Sequence, residues 1–279
     1  MTTANWYATL TDFKNYRTVR GITAVTDSTD DLTSSLIIEA VSRYIDQETR
    51  RHFFPYIATH LFDVPANGEL WLQDDLLAVL TLTNGDLTVI TDTDYILKSV
   101  NSPPYWCIGL RDISDVTWEQ DSDGSSQQVI SLRGWWGYHN DYTDHGWALG
   151  GTLGAAMSDT TTAGFTATAG HTLVVGNIIK IDNEIMTVLT AGATAVTVVA
   201  RGDNGSTAAT HINGSTLYIW NVASAVRAAT LAITQSVYTA RTGQVSGGKM
   251  TVTGAGVVIR PEDVPPMAQA VINSLRRME

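Results

Sequence analysis

The densest group of side chains that could do chemistry lies between positions 139 and 145, where His139, Asp141, Asp144 and His145 fall close together. Imidazole and carboxylate are good ligands for a divalent metal. A site also needs a helical or strand period that turns its ligands toward one point, and these four sit in a polar stretch without one. The expectation is a loop with no metal. Asp121, Asp123 and Gly124 have the opening spacing of a calcium loop, but the twelfth position is Leu132, where that loop needs a bidentate Glu. A hairpin turn is expected there. Arg201-Gly202-Asp203 spells an adhesion tripeptide, yet it runs into Asn204-Gly205, a tight-turn pair. Trp135, Trp136, Tyr138 and Trp147 could stack sugars, but aromatic rings also fill cores and subunit interfaces, and packing is the expectation. The chain has no Gly-x-Ser-x-Gly elbow, no phosphate-binding Gly-rich loop before Lys and no His-Glu-x-x-His pattern. Neither catalysis nor a cofactor is expected.

The elements that would position these residues can be read from composition and period. With 279 residues, 44% hydrophobic and 16% charged, the chain can bury a sizeable core in one or two domains. Cys107 is the only cysteine, which excludes a disulfide framework and a zinc site of thiolates. Residues 1–5 have no basic start or apolar run, and runs such as Leu76 to Leu80 are far short of the ~20 residues that span a bilayer. The expectation is a soluble protein made in a cytoplasm. Charge is uneven: residues 1–150 carry a net −12, residues 151–220 a net −2, and residues 221–279 a net +3. Such an acidic chain is not built to wrap nucleic acid, although it could line a passage through which DNA slides without sticking.

Helical periods appear first. Thr11 and Asp12 open a short pattern through Phe13, Tyr16 and Val19, closed by Gly21. Ser28 and Asp31 have capping-box spacing before Leu32, Leu36, Ile37, Ala40, Val41, Tyr44 and Ile45, a strong amphipathic helix that stops before Pro55. From Thr59 to Tyr138 the period is two, in short runs at 61–64, 70–72, 79–82, 87–90, 95–98, 116–118 and 129–132. Asn67-Gly68, Asn84-Gly85 and Asp123-Gly124 supply turns. Residues 148–220 are poor in charge and rich in Gly, Thr, Ala and Val, with strand runs at 173–175, 178–181, 185–189, 196–199 and 216–219. That is the size of a small barrel or sandwich. Helical spacing returns at Val222, Val226, Ala229, Ile233 and Val237, and again after Pro266 through Met267, Val271 and Leu275. The expected fold is α+β. Residues 1–147 and 221–279 would form a four-helix core with β hairpins, and 148–220 an inserted all-β domain of barrel or sandwich type.

Several pieces recur in a telling order. They are Tyr7-Ala8-Thr9-Leu10-Thr11-Asp12-Phe13-Lys14, an Asp-Asp-Leu helix start at 30–32, Thr49-Arg50-Arg51, Phe54-Pro55, Leu70-Trp71-Leu72, Asp94-Tyr95 and Trp136-Gly137-Tyr138. An Ala-rich third helix follows. In this order residues 6–138 and 221–277 resemble the head–tail connector (adaptor) family of tailed bacteriophages. The insert departs from simple members. Its Val175-Gly176-Asn177-Ile178, Ile181-Asp182-Asn183-Glu184-Ile185-Met186-Thr187-Val188 and Arg201-Gly202-Asp203-Asn204-Gly205-Ser206, followed by His211 and Gly214, resemble small β modules of phage structural proteins. The resemblance implies a homo-oligomeric ring, usually a dodecamer, in the virion neck. Its partners would be the portal protein and a downstream neck, stopper or tail-completion protein, with genomic DNA passing through without sequence-specific binding and no membrane contact. The family docks on the portal by its C-terminal part, which points to Leu275, Arg276, Arg277 and Met278. Two alternatives stand beside it: another neck or tail-completion protein, and a carbohydrate-binding decoration module carried by the insert.

Overall fold

A computed structural model describes residues 5–19, 30–100, 104–141, 146–241, 252–253, 256–257 and 259–277. Ser28, Asp144, His145, Met278 and the glycines at 21 and 243 therefore lie outside the described residues. Helix α1 (Leu10–Val19) is opened by Thr9, not Thr11. The Thr9 hydroxyl accepts the Asp12 N–H at 3.0 Å while the Asp12 carboxylate accepts the Thr9 N–H at 2.9 Å, a reciprocal cap that satisfies two orphan donors. Helix α2 (Asp31–Thr49) buries Ile37, Ile38, Val41 and Ile45 along one stripe. It stops at Arg50, whose φ of 55° ends the helical path. Helix α3 (Ser224–Arg241) buries Val226, Ala229, Ile233 and Val237. Helix α4 (Pro266–Leu275) starts on a proline, whose missing N–H costs nothing at that position, and buries Ala268 and Ile272. Helix α2 packs on α3 and α4, and α3 on α1.

These helices do not make a four-helix connector core. The expectation is corrected by two six-stranded antiparallel sheets, which make the chain mostly β among the described residues. The reason is long-range pairing that local turn chemistry does not reveal. The first sheet comprises β1 (Tyr56–Phe62), β2 (Glu69–Thr83), β3 (Val89–Ile90), β4 (Tyr95–Lys98), β5 (Tyr105–Leu110) and β6 (Ile130–Trp136). Its order is β1-β6-β2-β5-β4, with β3 on β2, so β6 enters between strands that precede it by more than 45 residues. The runs at 70–72 and 79–82 belong to one strand, which stays continuous through bulges. The run at 116–118 forms no strand; Trp118 donates its indole N–H to the Gly68 carbonyl at 3.0 Å. One face closes over Phe62, Leu70, Leu72, Leu76, Leu82, Ile90, Ile108, Ile130, Leu132 and Trp136. At Gly134 a Cβ would lie 2.7 Å from the Leu76 side chain and 2.8 Å from the Ala78 carbonyl, so the strands approach too closely there for any side chain.

The second sheet comprises β7 (Trp147–Thr152), β8 (Gly164–Thr166), β9 (Ile178–Ile181), β10 (Glu184–Ala191), β11 (Ala195–Val198) and β12 (Thr216–Trp220). Its order is β7-β12-β9-β10-β11-β8. The two outer strands meet: the Gly154 N–H donates to the Thr166 carbonyl at 2.8 Å and the Thr168 N–H to the Thr152 carbonyl at 2.9 Å, around a Leu153–Ala167 bridge. The sheet thus closes into a small barrel, which removes its open edges. Leu153, Phe165, Ile179, Ile181, Met186, Val188, Val196, Val198 and Leu217 fill it.

The chain divides into two compact units. One is Met1–Phe54, Trp147–Asp203 and Thr207–Glu279, holding the helices and the barrel; the other is Pro55–Gly146 with Asn204–Ser206, holding the first sheet. Charge follows this division. The sheet unit carries 14 acidic and 3 basic residues, a net −11, while the helix and barrel unit is balanced at 14 of each.

Candidate functional site

The expected docking residues stand where two helices end. Arg276 follows α4 in extended conformation. Its Nε donates to the Glu48 carbonyl at 2.8 Å, and an Nη meets the Glu48 carboxylate at 2.7 Å. The next N–H, of Arg277, donates to the Thr49 carbonyl at 2.9 Å. In return Arg51, just past α2, donates its Nε to the Leu275 carbonyl at 2.8 Å. Each helix leaves its last carbonyls without internal partners, and here each C-terminus is capped by the chain leaving the other. A cation also suits the negative end of a helix dipole. Arg276 is half exposed, with 48% of its side chain open to solvent, and Leu275 and Arg277 are partly buried. Met278 lies outside the described residues. The cations are thus placed together, and the Arg276 guanidinium is already used within the chain.

A second focus is the opening motif. Tyr7 is fully buried; its hydroxyl donates to the Asp46 carboxylate and accepts the Phe53 N–H at 2.9 Å. The Phe53 ring meets the Tyr7 ring edge-on at 5.5 Å, and the Arg43 guanidinium lies over Tyr7 at 5.5 Å and pairs with Asp46 at 3.2 Å. Burial, then the Asp46 charge, pushes the Tyr7 hydroxyl well above its ordinary range, so it stays protonated and donating. This joins the start of the chain to both ends of the α2 exit.

The third focus was missed as chemistry, although its residues belong to the insert motif. Glu184 sits fully inside the barrel unit and accepts five donors. They are Arg201 Nε at 2.7 Å, Arg201 Nη at 2.9 Å, the Gly202 and Ala209 N–H groups at 3.0 Å each, and His211 Nε2 at 2.7 Å. His211 reaches Asp182 with its other nitrogen at 2.9 Å, where Asp182 turns the β9–β10 hairpin at φ 52°. Burial alone would raise the Glu184 carboxyl; the hydrogen bonds from Arg201, Ala209 and His211 and the Arg201 charge outweigh it and hold the pKa below the ordinary value. The available signal was scarcity. Residues 151–220 hold only four acidic and two basic residues, so a Glu and an Arg flanked by strand residues had to be paired.

The other candidates resolve locally. Arg201 of the adhesion-like tripeptide is spent on Glu184, and only 4% of its side chain is exposed. Asp121 accepts the Asp123 and Ser125 N–H groups at 3.0 and 2.8 Å, capping its own turn around Gly124 at φ 78°. His139 is buried and its Nδ1 accepts the Asp141 N–H at 2.9 Å. Among the described residues no three His, Cys, Asp or Glu side chains gather as a metal site, and no helix is long and apolar enough to cross a membrane. Trp135, Trp136 and Trp147 are buried; Trp136 stacks on His60 at 4.1 Å and Trp147 meets Trp220 edge-on at 5.1 Å. Comparison with family models, with curated proteins and with solved structures finds no match to this chain.

Proposed function

We propose that this chain is a structural virion protein, a head–tail connector (adaptor) that assembles as a ring beneath the portal. It would continue the DNA channel and offer the attachment surface for the next neck or tail protein. The observation that carries the reading is the ordered set of motifs from Tyr7 to Trp136-Gly137-Tyr138. What supports it physically is that the earliest of these motifs share one task. Tyr7, the end of α2 and Phe53 close on each other through the Tyr7 hydroxyl, as expected of a scaffold whose sequence is spent on shape. The charge division also suits a neck position. A unit of net −11 repels DNA phosphates and would let the genome slide past.

Portal docking by Leu275, Arg276, Arg277 and Met278 belongs to the same proposal. Arg276 keeps enough exposure to meet a partner carboxylate while holding Glu48. Negative-stain images of the purified protein, alone and mixed with portal, test the reading. Rings, alone or seated on the portal, are expected, and phage lacking the protein should package DNA yet fail to retain it or attach tails. Tailed, DNA-filled mutant particles would overturn it.

A further inference from the structure

The chain contains four Asn-Gly pairs, at 67–68, 84–85, 204–205 and 213–214. Such a pair is chemically labile, because glycine has no Cβ to hinder approach to its own nitrogen. The Gly N attacks the Asn Cγ; the Cγ–Nδ2 bond breaks, and ammonia leaves carrying the proton that the Gly N gives up. Water then opens the cyclic imide at either carbonyl, leaving Asp or isoAsp. The reaction needs an exposed amide side chain that can rotate and a glycine nitrogen that is free to attack.

Three of the pairs are held. Asn84 is buried, donates to the Thr117 carbonyl at 2.8 Å and accepts the Glu119 N–H at 2.9 Å. Asn204 donates to the Pro55 carbonyl at 3.0 Å and accepts the Ile57 N–H on its own carbonyl at 2.8 Å. Gly205 lies so close to Ile57 that a Cβ would fall 2.0 Å from the Ile57 carbonyl. Asn213 is exposed, but the Gly214 nitrogen donates to the Leu153 carbonyl at 2.9 Å in the barrel. Asn67 differs from Asn84 and Asn204 in exposure, and from the exposed Asn213 in the state of the glycine nitrogen. It is exposed, Gly68 is exposed at φ 73° with nothing within 4 Å of where a Cβ would stand, and the Gly68 nitrogen has only a long 3.4 Å contact to the Pro65 carbonyl. That is beyond the usual N–H···O range of about 2.7–3.2 Å.

We infer that Asn67 is a site of spontaneous deamidation in the folded protein, and that the fold protects the other three pairs. The product adds a negative charge to the unit that is already at −11, in a surface groove that Asn67 lines together with Asp63 and Glu69. An isoAsp product also lengthens the backbone next to Gly68, whose carbonyl holds the Trp118 indole.

The test ages the full chain at mildly alkaline pH, folded and in urea, and follows each Asn-Gly peptide by mass spectrometry with isoaspartyl methyltransferase labelling. In urea all four should convert. In the folded chain Asn67 should keep its rate within about threefold. The other three should slow by roughly a hundredfold or more, since each then needs a local opening. Protection of Asn67 equal to the others, or faster conversion at Asn213, overturns the inference. An Asn67→Gln chain aged alongside should form no new acidic species; if it does so at the wild-type rate, the labile site is elsewhere and the assignment fails.

Discussion

Replacing Glu184 by Ala would strand the Arg201 guanidinium in the barrel unit's interior. It would also leave the Gly202 and Ala209 N–H groups and one His211 nitrogen without an acceptor. Removing one partner of a buried ion pair costs about 3–5 kcal/mol, because the remaining charge is uncompensated. For a unit of this size each kcal/mol lowers the melting temperature by roughly 2–4 °C, so a fall of about 6–20 °C is expected. Glu184→Gln keeps one acceptor oxygen but turns an NH2 toward donors, and should cost about 1–3 kcal/mol. The pair change Glu184→Leu with Arg201→Met removes both charges and should be milder than Glu184→Ala alone. Thermal melts followed by circular dichroism and by tryptophan fluorescence measure all three. A loss under about 1 kcal/mol for Glu184→Ala would refute the claim that this cluster holds the barrel. The same carboxylate sets a pH response. Its folded pKa lies below the ordinary 4.5, so its contribution is complete above that value and disappears as the pH falls through the lower folded pKa. Wild-type stability should therefore drop on acidification below that value, and the Glu184→Gln protein should show a smaller drop.

Three other outcomes are expected. Tyr7→Phe leaves the Phe53 N–H and the Asp46 carboxylate short of a partner, and should cost about 1–3 kcal/mol by denaturant melt. Arg276→Ala removes a carbonyl cap and a half-exposed ion pair, so it should lower the melting temperature by roughly 2–4 °C, corresponding to about 1 kcal/mol, even without portal. Arg276→Glu should be worse, since it faces Glu48, so loss of portal binding is better read from Arg276→Gln. Residues 146–221 expressed alone should melt cooperatively with a β-type spectrum, because the barrel closes on its own core; a random-coil spectrum would show that it depends on the rest of its unit.

Local chemistry was legible in the sequence wherever a residue's neighbours along the chain decide its state. The stripe Ile37, Val41 and Ile45 marks a helix because one face must be buried, and Pro266 marks the start of the last one. Asp123-Gly124 marks a turn because glycine reaches positive φ without penalty. Tertiary structure alone decided the rest. Nothing local tells β6 to enter between β1 and β2, or joins β7 to β8 into a barrel; that follows from which apolar faces find each other. The cations after α4 look like a free docking tip in sequence. Folding sets them against α2, because two helix C-termini brought side by side each need donors for their last carbonyls. Glu184, Arg201 and His211 lie up to 27 residues apart, and they become one cluster because a buried charge is tolerated only beside its partner.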